Sequence, residues 1–270
     1  MPTLERGGTG IYYRMFGEVH GNAPAILLTH GYTATSRMWE PQIEPLSRRH
    51  RVIVWDLRGH GESDSPEDPQ AYTAAETLDD MRALLDAAGV ERAVLGGHSM
   101  GGYLSLSFRL QHPERVRALM LFSTGPGFKK DAPRESWNEM SRKRADQLDA
   151  GGLEALGSGA GVFGNNHRSA RGLANAGRVM LVQRDARVID SLPDIDVPAL
   201  VLVGERDRMF LAGSDYMTAK IPGAKKVVVP GAGHAANVHK ADEFNRATLE
   251  FLDAVPPDAT PPAASKEQEA

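Results

Sequence analysis

Three side chains of this sequence, Ser99, Asp207 and His234, have the types and settings needed for nucleophilic chemistry. A serine hydroxyl is a poor nucleophile until a base removes its proton, and the base needs an acid to orient it. Ser99 lies in Gly97-His98-Ser99-Met100-Gly101, between the apolar run Ala93-Val94-Leu95 and a helix-like stretch from Met100 to Gln111 that stops before Pro113. The five-residue pattern alone is weak, and a Gly-rich turn holding an ordinary serine is the plainer reading. The setting carries more. A sharp strand-to-helix turn lifts a hydroxyl above a sheet, and the small Gly97 and Gly101 let the backbone make it. Later, Ala199 to Val203 runs into Gly204-Glu205-Arg206-Asp207, and Val227 to Val229 runs into Pro230-Gly231-Ala232-Gly233-His234. All three groups therefore follow a predicted strand.

The elements that must position them form an α/β pattern. Ile11 to Phe16 reads as a strand paired with Thr3 to Arg6 across Gly7-Gly8-Thr9-Gly10. Ala25 to Thr29, Val52 to Trp55, Ala93 to Leu95 and Ala118 to Phe122 read as buried parallel strands, with Ala199 to Val203 and Val227 to Val229 following late. Helical stretches such as Leu78 to Ala88 and Met100 to Gln111 separate them. Alternation of this kind predicts a mostly parallel sheet covered on both faces, with chemistry at the carboxyl ends of its strands. Between Phe122 and Ala199 the chain is too long for one crossover helix, Gly-rich, and amphipathic in part, with Trp137, Met140, Arg144 and Leu148 marking one helical face. The expected division is a core of residues 1–124 and 197–255, an inserted helical cap of residues 125–196, and a disordered tail, 256–270, rich in proline.

Composition narrows the function classes. The chain has 270 residues, 31 basic against 35 acidic, a net charge of −4 and no cysteine. One large core fits this length. The charge balance speaks against nucleic-acid or anionic-membrane partners, and the lack of cysteine excludes disulfides, thiol catalysis and Cys-ligated zinc. There is no apolar signal region at the N-terminus and no stretch long enough to span a bilayer, so a cytoplasmic location is expected. No metal constellation, Rossmann fingerprint or P-loop appears, and no cofactor is expected.

The motifs His30-Gly31, Asp56-Leu57-Arg58-Gly59-His60-Gly61-Glu62-Ser63, Gly97-His98-Ser99-Met100-Gly101-Gly102, Gly204-Glu205-Arg206-Asp207 and Gly231-Ala232-Gly233-His234 together resemble the α/β-hydrolase superfamily over residues 11–253. The chain order Ser99, Asp207, His234 is the order of that fold's triad. The resemblance implies an α/β-hydrolase fold, with Ser99 as nucleophile, His234 as general base and then acid, and Asp207 as the orienting carboxylate. Glu205 is the alternative acid. After the preceding sheet strand, where some relatives carry it, Ser123-Thr124-Gly125-Pro126 holds no carboxylate. His98 is expected to pack in the elbow, His239 to face solvent, and Arg58 and His60 to shape a turn. Backbone N–H groups for an oxyanion come from Met100, after the nucleophile, and by resemblance from Tyr32, whose hydroxyl or ring could also meet substrate.

A serine in the elbow argues against the dehalogenases and epoxide hydrolases of this fold, which place a carboxylate there. Cleavage of a small or medium carboxylic ester or lactone through an acyl-enzyme is the leading expectation. The alternatives are C–C hydrolysis of meta-cleavage products and cofactor-free perhydrolysis. Tyr32-Thr33-Ala34 stands where the C–C hydrolases often carry Gly-Pro-Gly. A different class, a triad-retaining small-molecule receptor, remains open at this point. Phe128, Trp137, Phe163 and Met209 are candidate pocket residues, each with ordinary packing as its plainer explanation. The expected partner is a small-molecule substrate; nothing in the sequence speaks to oligomeric state.

Overall fold

The computed structural model describes residues 2–18, 23–157 and 166–256. Phe163 and all but the first residue of the tail lie outside the described residues. The strands are β1 (Thr3–Glu5), β2 (Gly10–Phe16), β3 (Ala25–Thr29), β4 (Val52–Trp55), β5 (Ala93–His98), β6 (Val116–Phe122), β7 (Ala199–Gly204) and β8 (Lys225–Val229). They join one sheet in the order β1-β2-β4-β3-β5-β6-β7-β8. The pairs β1–β2 and β2–β4 are antiparallel and every later pair is parallel. The predicted α/β class and the N-terminal hairpin are both present.

Helices α1 (Glu40–Ser47), α2 (Ala74–Ala87) and α3 (Met100–Gln111) cross between the early strands. Helices α4 (Asp131–Gly151), α5 (Ala170–Val179) and the short α6 (Arg187–Asp190) lie between β6 and β7. Then come α7 (Leu211–Lys220), the single turn α8 (Ala236–His239) and α9 (Ala241–Asp253). The sheet separates two hydrophobic clusters, and alternate residues of one strand serve each. Leu27, Ile53, Leu95 and Leu119 face the α2–α3 side, whereas Ile26, Val52, Val94 and Ala118 face the α1–α9 side. Side chains that alternate between two covered faces explain why these strands read as unbroken apolar runs.

Several element ends differ from the sequence expectation, including the starts of β6 at Val116 and β8 at Lys225, and the shift is largest at β5 and α2. β5 continues through Gly96 and Gly97 to His98, because β3 and β6 pair with it that far, Thr29 opposite Gly97 and Phe122 opposite His98. Tertiary pairing overrides the weak strand preference of glycine. α2 starts four residues before Leu78, after Thr73, whose Oγ1 accepts the Glu76 N–H at 3.3 Å. That Thr-x-x-Glu start signal stands in the sequence.

The helical face marked by Trp137, Met140, Arg144 and Leu148 is also corrected. The buried stripe of α4 is Asn138, Ser141, Ala145 and Leu148, while Met140 is exposed. Polar residues occupy this stripe because backbone groups satisfy them. Ser141 Oγ donates to Gly177 O at 2.6 Å, and Asn138 Nδ2 donates to Gln183 O at 2.9 Å. Helices α4 and α5 pack on each other through Ala145, Leu148, Leu173 and Ala174, and Tyr32 packs against this cluster from below. No helix among the described residues is long and apolar enough to cross a membrane.

Candidate active site

Ser99 sits between β5 and α3 with φ 52° and ψ −115°, a left-handed backbone that costs a non-glycine residue about 1–3 kcal/mol. Close packing holds it there. A Cβ on Gly97 would overlap the Gly101 carbonyl, and one on Gly101 would overlap Thr29 O at the end of β3. Neither glycine has positive φ, so their smallness serves backbone contact and leaves the unusual dihedral to Ser99 itself. Thr124 Oγ1, after β6, donates to Ser99 O at 2.6 Å and fastens the turn to the next strand.

The loop after β3 abuts the same turn. A side chain on Gly31 would stand 3.2 Å from Ser99 Cβ and 2.8 Å from His98 Nδ1. The following Tyr32 N–H, like the Met100 N–H at the start of α3, has no hydrogen-bond acceptor among the described residues. These are the two donors named from the sequence. The Tyr32 hydroxyl, however, donates to Leu173 O of α5 at 2.9 Å, so the suggestion that it meets substrate is corrected. It ties the β3 loop to the helices above, and burial raises its pKa well above the usual phenol value.

His234, after β8, donates from Nδ1 to Asp207 Oδ2 at 2.9 Å. The Asp207 side chain is 4% exposed and that of His234 is 41% exposed, so the acid is sealed while the imidazole reaches solvent. Phe210 stacks on the imidazole with centroids 5.1 Å apart and planes 18° apart. Among the described residues Ser99 Oγ makes no hydrogen bond to the ring; in apo enzymes such contacts often tighten only with substrate. Glu205, the alternative acid, accepts the Gly231 N–H at 2.8 Å, which braces the turn ahead of His234. His239 is exposed and ends α8 rather than beginning the last helix.

His98, His30, His60 and His167 are buried. His98 donates from Nε2 to His234 O at 2.9 Å, its ring 4.5 Å from that of His234, and burial lowers its pKa to about 3. Beneath the β3 loop, His30 Nδ1 donates to Gly31 O at 2.7 Å and its Nε2 accepts the Leu57 N–H at 3.0 Å. His167 Nε2 donates to Thr33 O at 3.0 Å while its Nδ1 accepts the Gly61 N–H at 3.1 Å. His60 lies between the two, its centroid 5.1 Å from His30 and 5.8 Å from His167. Burial lowers all three pKa values, that of His30 to about 4. Arg58 is fully used in a two-bond pair with Asp80 at 2.6 and 2.8 Å.

These neutral histidines carry a pH prediction. Their folded pKa values lie below the ordinary 6.5, so the unfolded chain binds more protons between that value and about 4. Stability is therefore fully present above pH 6.5 and is lost as pH falls toward 4, by about 1.4 kcal/mol per pH unit for each histidine fully engaged. Urea unfolding midpoints taken at pH 7, 6, 5 and 4 should fall with a slope of several protons. A flat profile from pH 7 to pH 5 would contradict it.

Ser99 and Met100 line a cavity of about 320 Å³. Of the pocket residues named from the sequence, Phe128, Trp137 and Met209 line it, and Phe163 falls outside the described residues. Trp137 is held by its Nε1 donating to Leu181 O at 3.1 Å, and Met209, 65% exposed, stands at the surface. The sequence reading missed Tyr103, Thr124, Met180, Gln183 and Phe210. Phe210 could have been found three residues beyond Asp207, and Tyr103 one turn after Ser99. Gln183 had no local signal. Among the described residues, none lining the cavity is charged.

A family model described as alpha/beta hydrolase fold matches residues 24–167, more than half of the chain. A protein of Bacillus subtilis named "putative 2-succinyl-6-hydroxy-2,4-cyclohexadiene-1-carboxylate synthase" is 30% identical over 265 residues, covering 91% of this chain and 96% of its own. Among solved structures, a thermophilic esterase from Thermogutta terrifontis superposes with TM-score 0.81 at 27% identity, covering 94% of this chain and 97% of its own. The enol-lactonase from Burkholderia xenovorans superposes with TM-score 0.74 at 29% identity, covering 93% of this chain and all of its own. With its sheet order and strand-to-helix elbow, the chain belongs to the alpha/beta hydrolase family and is a hydrolase.

Proposed function

We propose that the protein is a serine hydrolase of small or medium uncharged carboxylic esters or lactones, with residues 125–196 as its cap. The reading is carried by one juxtaposition. A serine in a strained elbow opens on an apolar cavity beside two unspent backbone N–H groups, on a chain that also supplies an Asp-paired histidine.

In this mechanism Ser99 Oγ attacks the ester carbonyl as His234 Nε2 takes its proton. Asp207, bound at Nδ1, keeps the imidazole in the tautomer whose Nε2 is free and stabilises the imidazolium that forms. The carbonyl oxygen becomes an alkoxide and accepts from Tyr32 N–H and Met100 N–H, the latter at the positive end of α3. His234 then gives its proton to the departing oxygen. Water, activated by the same nitrogen, releases the acid and restores Ser99.

Cavity chemistry sets the substrate class. A volume of about 320 Å³ is at the small end of ligand sites. The Bacillus subtilis relative is named for a succinyl carboxylate. Among the described residues no basic side chain lines this cavity to pair with a carboxylate, which would have to be desolvated there, so uncharged substrates fit better. The enol-lactonase and esterase likenesses accord with that chemistry.

The test is turnover of a p-nitrophenyl ester series from short to long acyl chains, followed by simple lactones, with Ser99→Ala in parallel. Turnover should peak at short to medium chains, fall for long ones, and vanish in the variant. Folded protein that hydrolyses no member of either set would remove the reading.

A further inference from the structure

Gln183 carries a polar group that the cavity does not explain. Its residue is 8% exposed, and it lines the same cavity as Ser99. The backbone around it is saturated: Asn138 Oδ1 accepts the Gln183 N–H at 2.8 Å, and Asn138 Nδ2 donates to Gln183 O at 2.9 Å. The side chain is the opposite. Its Oε1 is sealed from solvent without a partner, and Nε2 makes no hydrogen bond among the described residues. The oxygen lies over the bare face of Gly127, 2.8 Å from where a Cβ would stand, so even the neighbouring residue leaves room for it.

An unpaired buried amide is destabilising, because no hydrogen bond offsets its loss of water. The wall of the cavity it lines is largely apolar or aromatic, with Phe128, Trp137, Met180 and Leu181 among its residues. A leucine or methionine would fill the space without that cost, so packing gives no reason for an amide here. The carboxamide can turn end over end about its last torsion, which has a broad two-fold profile, so either a donor or an acceptor can be presented. A ligand hydroxyl, itself both donor and acceptor, would pair with whichever end is turned to the cavity. A charged group would not, since among the described residues no counter-charge lines the cavity.

We infer that Gln183 is a specificity-determining residue that hydrogen-bonds an uncharged polar group, of hydroxyl type, on the arm of the substrate that fills the cavity. The inference rests on the serine-hydrolase reading above and narrows it, from uncharged esters and lactones in general to those whose apolar arm carries a hydroxyl. Because Gln183 is not part of the reacting constellation, its contact persists from bound substrate to transition state. Its effect belongs in KM more than in kcat.

The experiment compares p-nitrophenyl ω-hydroxyalkanoates with p-nitrophenyl alkanoates of matched length, on the full chain and on Gln183→Leu and Gln183→Met. The full chain should favour the hydroxylated ester at one chain length by about three- to tenfold in kcat/KM, mostly through KM. Both variants should lose that preference, with an unchanged or higher Tm. The methionine variant reports should the leucine fail to fold. A parent without the preference, or variants that keep it, would overturn the role of Gln183 and leave the esterase reading standing. Absence of hydrolysis of both series, and of simple lactones, by folded parent would bring down that reading and this inference with it.

Discussion

Ser99→Ala is expected to lower kcat on the best ester by about 10⁴–10⁶-fold while leaving the fold intact. The serine is the only group in the proposed mechanism that bonds to substrate, and in serine hydrolases generally its removal leaves what binding and oxyanion donors supply. Alanine also relieves nothing at the backbone: the left-handed φ of 52° remains, so stability should change little. Asp207→Asn should cost about 10⁴-fold, since an amide in place of the carboxylate that accepts from His234 Nδ1 favours the wrong tautomer. The double variant should be no worse than Ser99→Ala alone, because groups acting as one unit do not add. Glu205→Gln supplies the contrast, with activity within a factor of about three of the parent, as its carboxylate holds a turn rather than the histidine. Steady-state kinetics beside circular dichroism checks all four. A Glu205→Gln loss comparable with that of Asp207→Asn would mean the acid has been misassigned.

The largest stability effect is expected at Asp80. The Arg58 and Asp80 side chains are 3% and 0% exposed, and their two hydrogen bonds of 2.6 and 2.8 Å satisfy the guanidinium fork. Glu76, the other acid near Arg58, lies 3.3 Å away but is half exposed. Asp80→Ala would leave a buried guanidinium with only that screened partner and the Ala71 carbonyl, at a cost of about 3–5 kcal/mol. For a chain of this size, Tm should fall by roughly 6–20 °C. Removing both charges, as in Arg58→Met with Asp80→Leu, should recover much of the loss, because the pair must repay its own desolvation. Thermal unfolding of the three proteins decides the matter; a single variant no less stable than the double one would show that burial of the pair is not what the charge costs. Activity should follow stability here, since Arg58 shapes the turn carrying His60 and Gly61 and touches no cavity residue.

Why the candidate-site residues were legible in the sequence follows from where they sit. Ser99, Asp207 and His234 each come directly after a strand, and a strand buried on both faces announces itself as an apolar run whatever its neighbours are. Glycine punctuation then marks the turns, as at Gly97 and Gly101, where a side chain would collide with backbone. Fold class, strand positions, the elbow and the order of the chemical groups are therefore local information. So is the N–H of Met100, which any helix start leaves unpaired.

The cavity was not local information. Its wall combines residues from α3, the loop after β6, α4, the stretch after α5 and the loop into α7, and no periodicity links segments so far apart in the chain. The buried face of α4 was misplaced for the same reason. Asn138 and Ser141 look solvent-facing until Gln183 and Gly177 supply backbone partners. Tyr32 read as a substrate contact until α5 offered the Leu173 carbonyl to its hydroxyl. By itself the sequence determined the strands, their turns and the chemical groups set at their ends, because backbone sterics and hydrophobic period act over a few residues. Tertiary structure alone decided which polar groups find partners, as Tyr32, Asn138 and Ser141 do, and which, like Gln183 Oε1, do not.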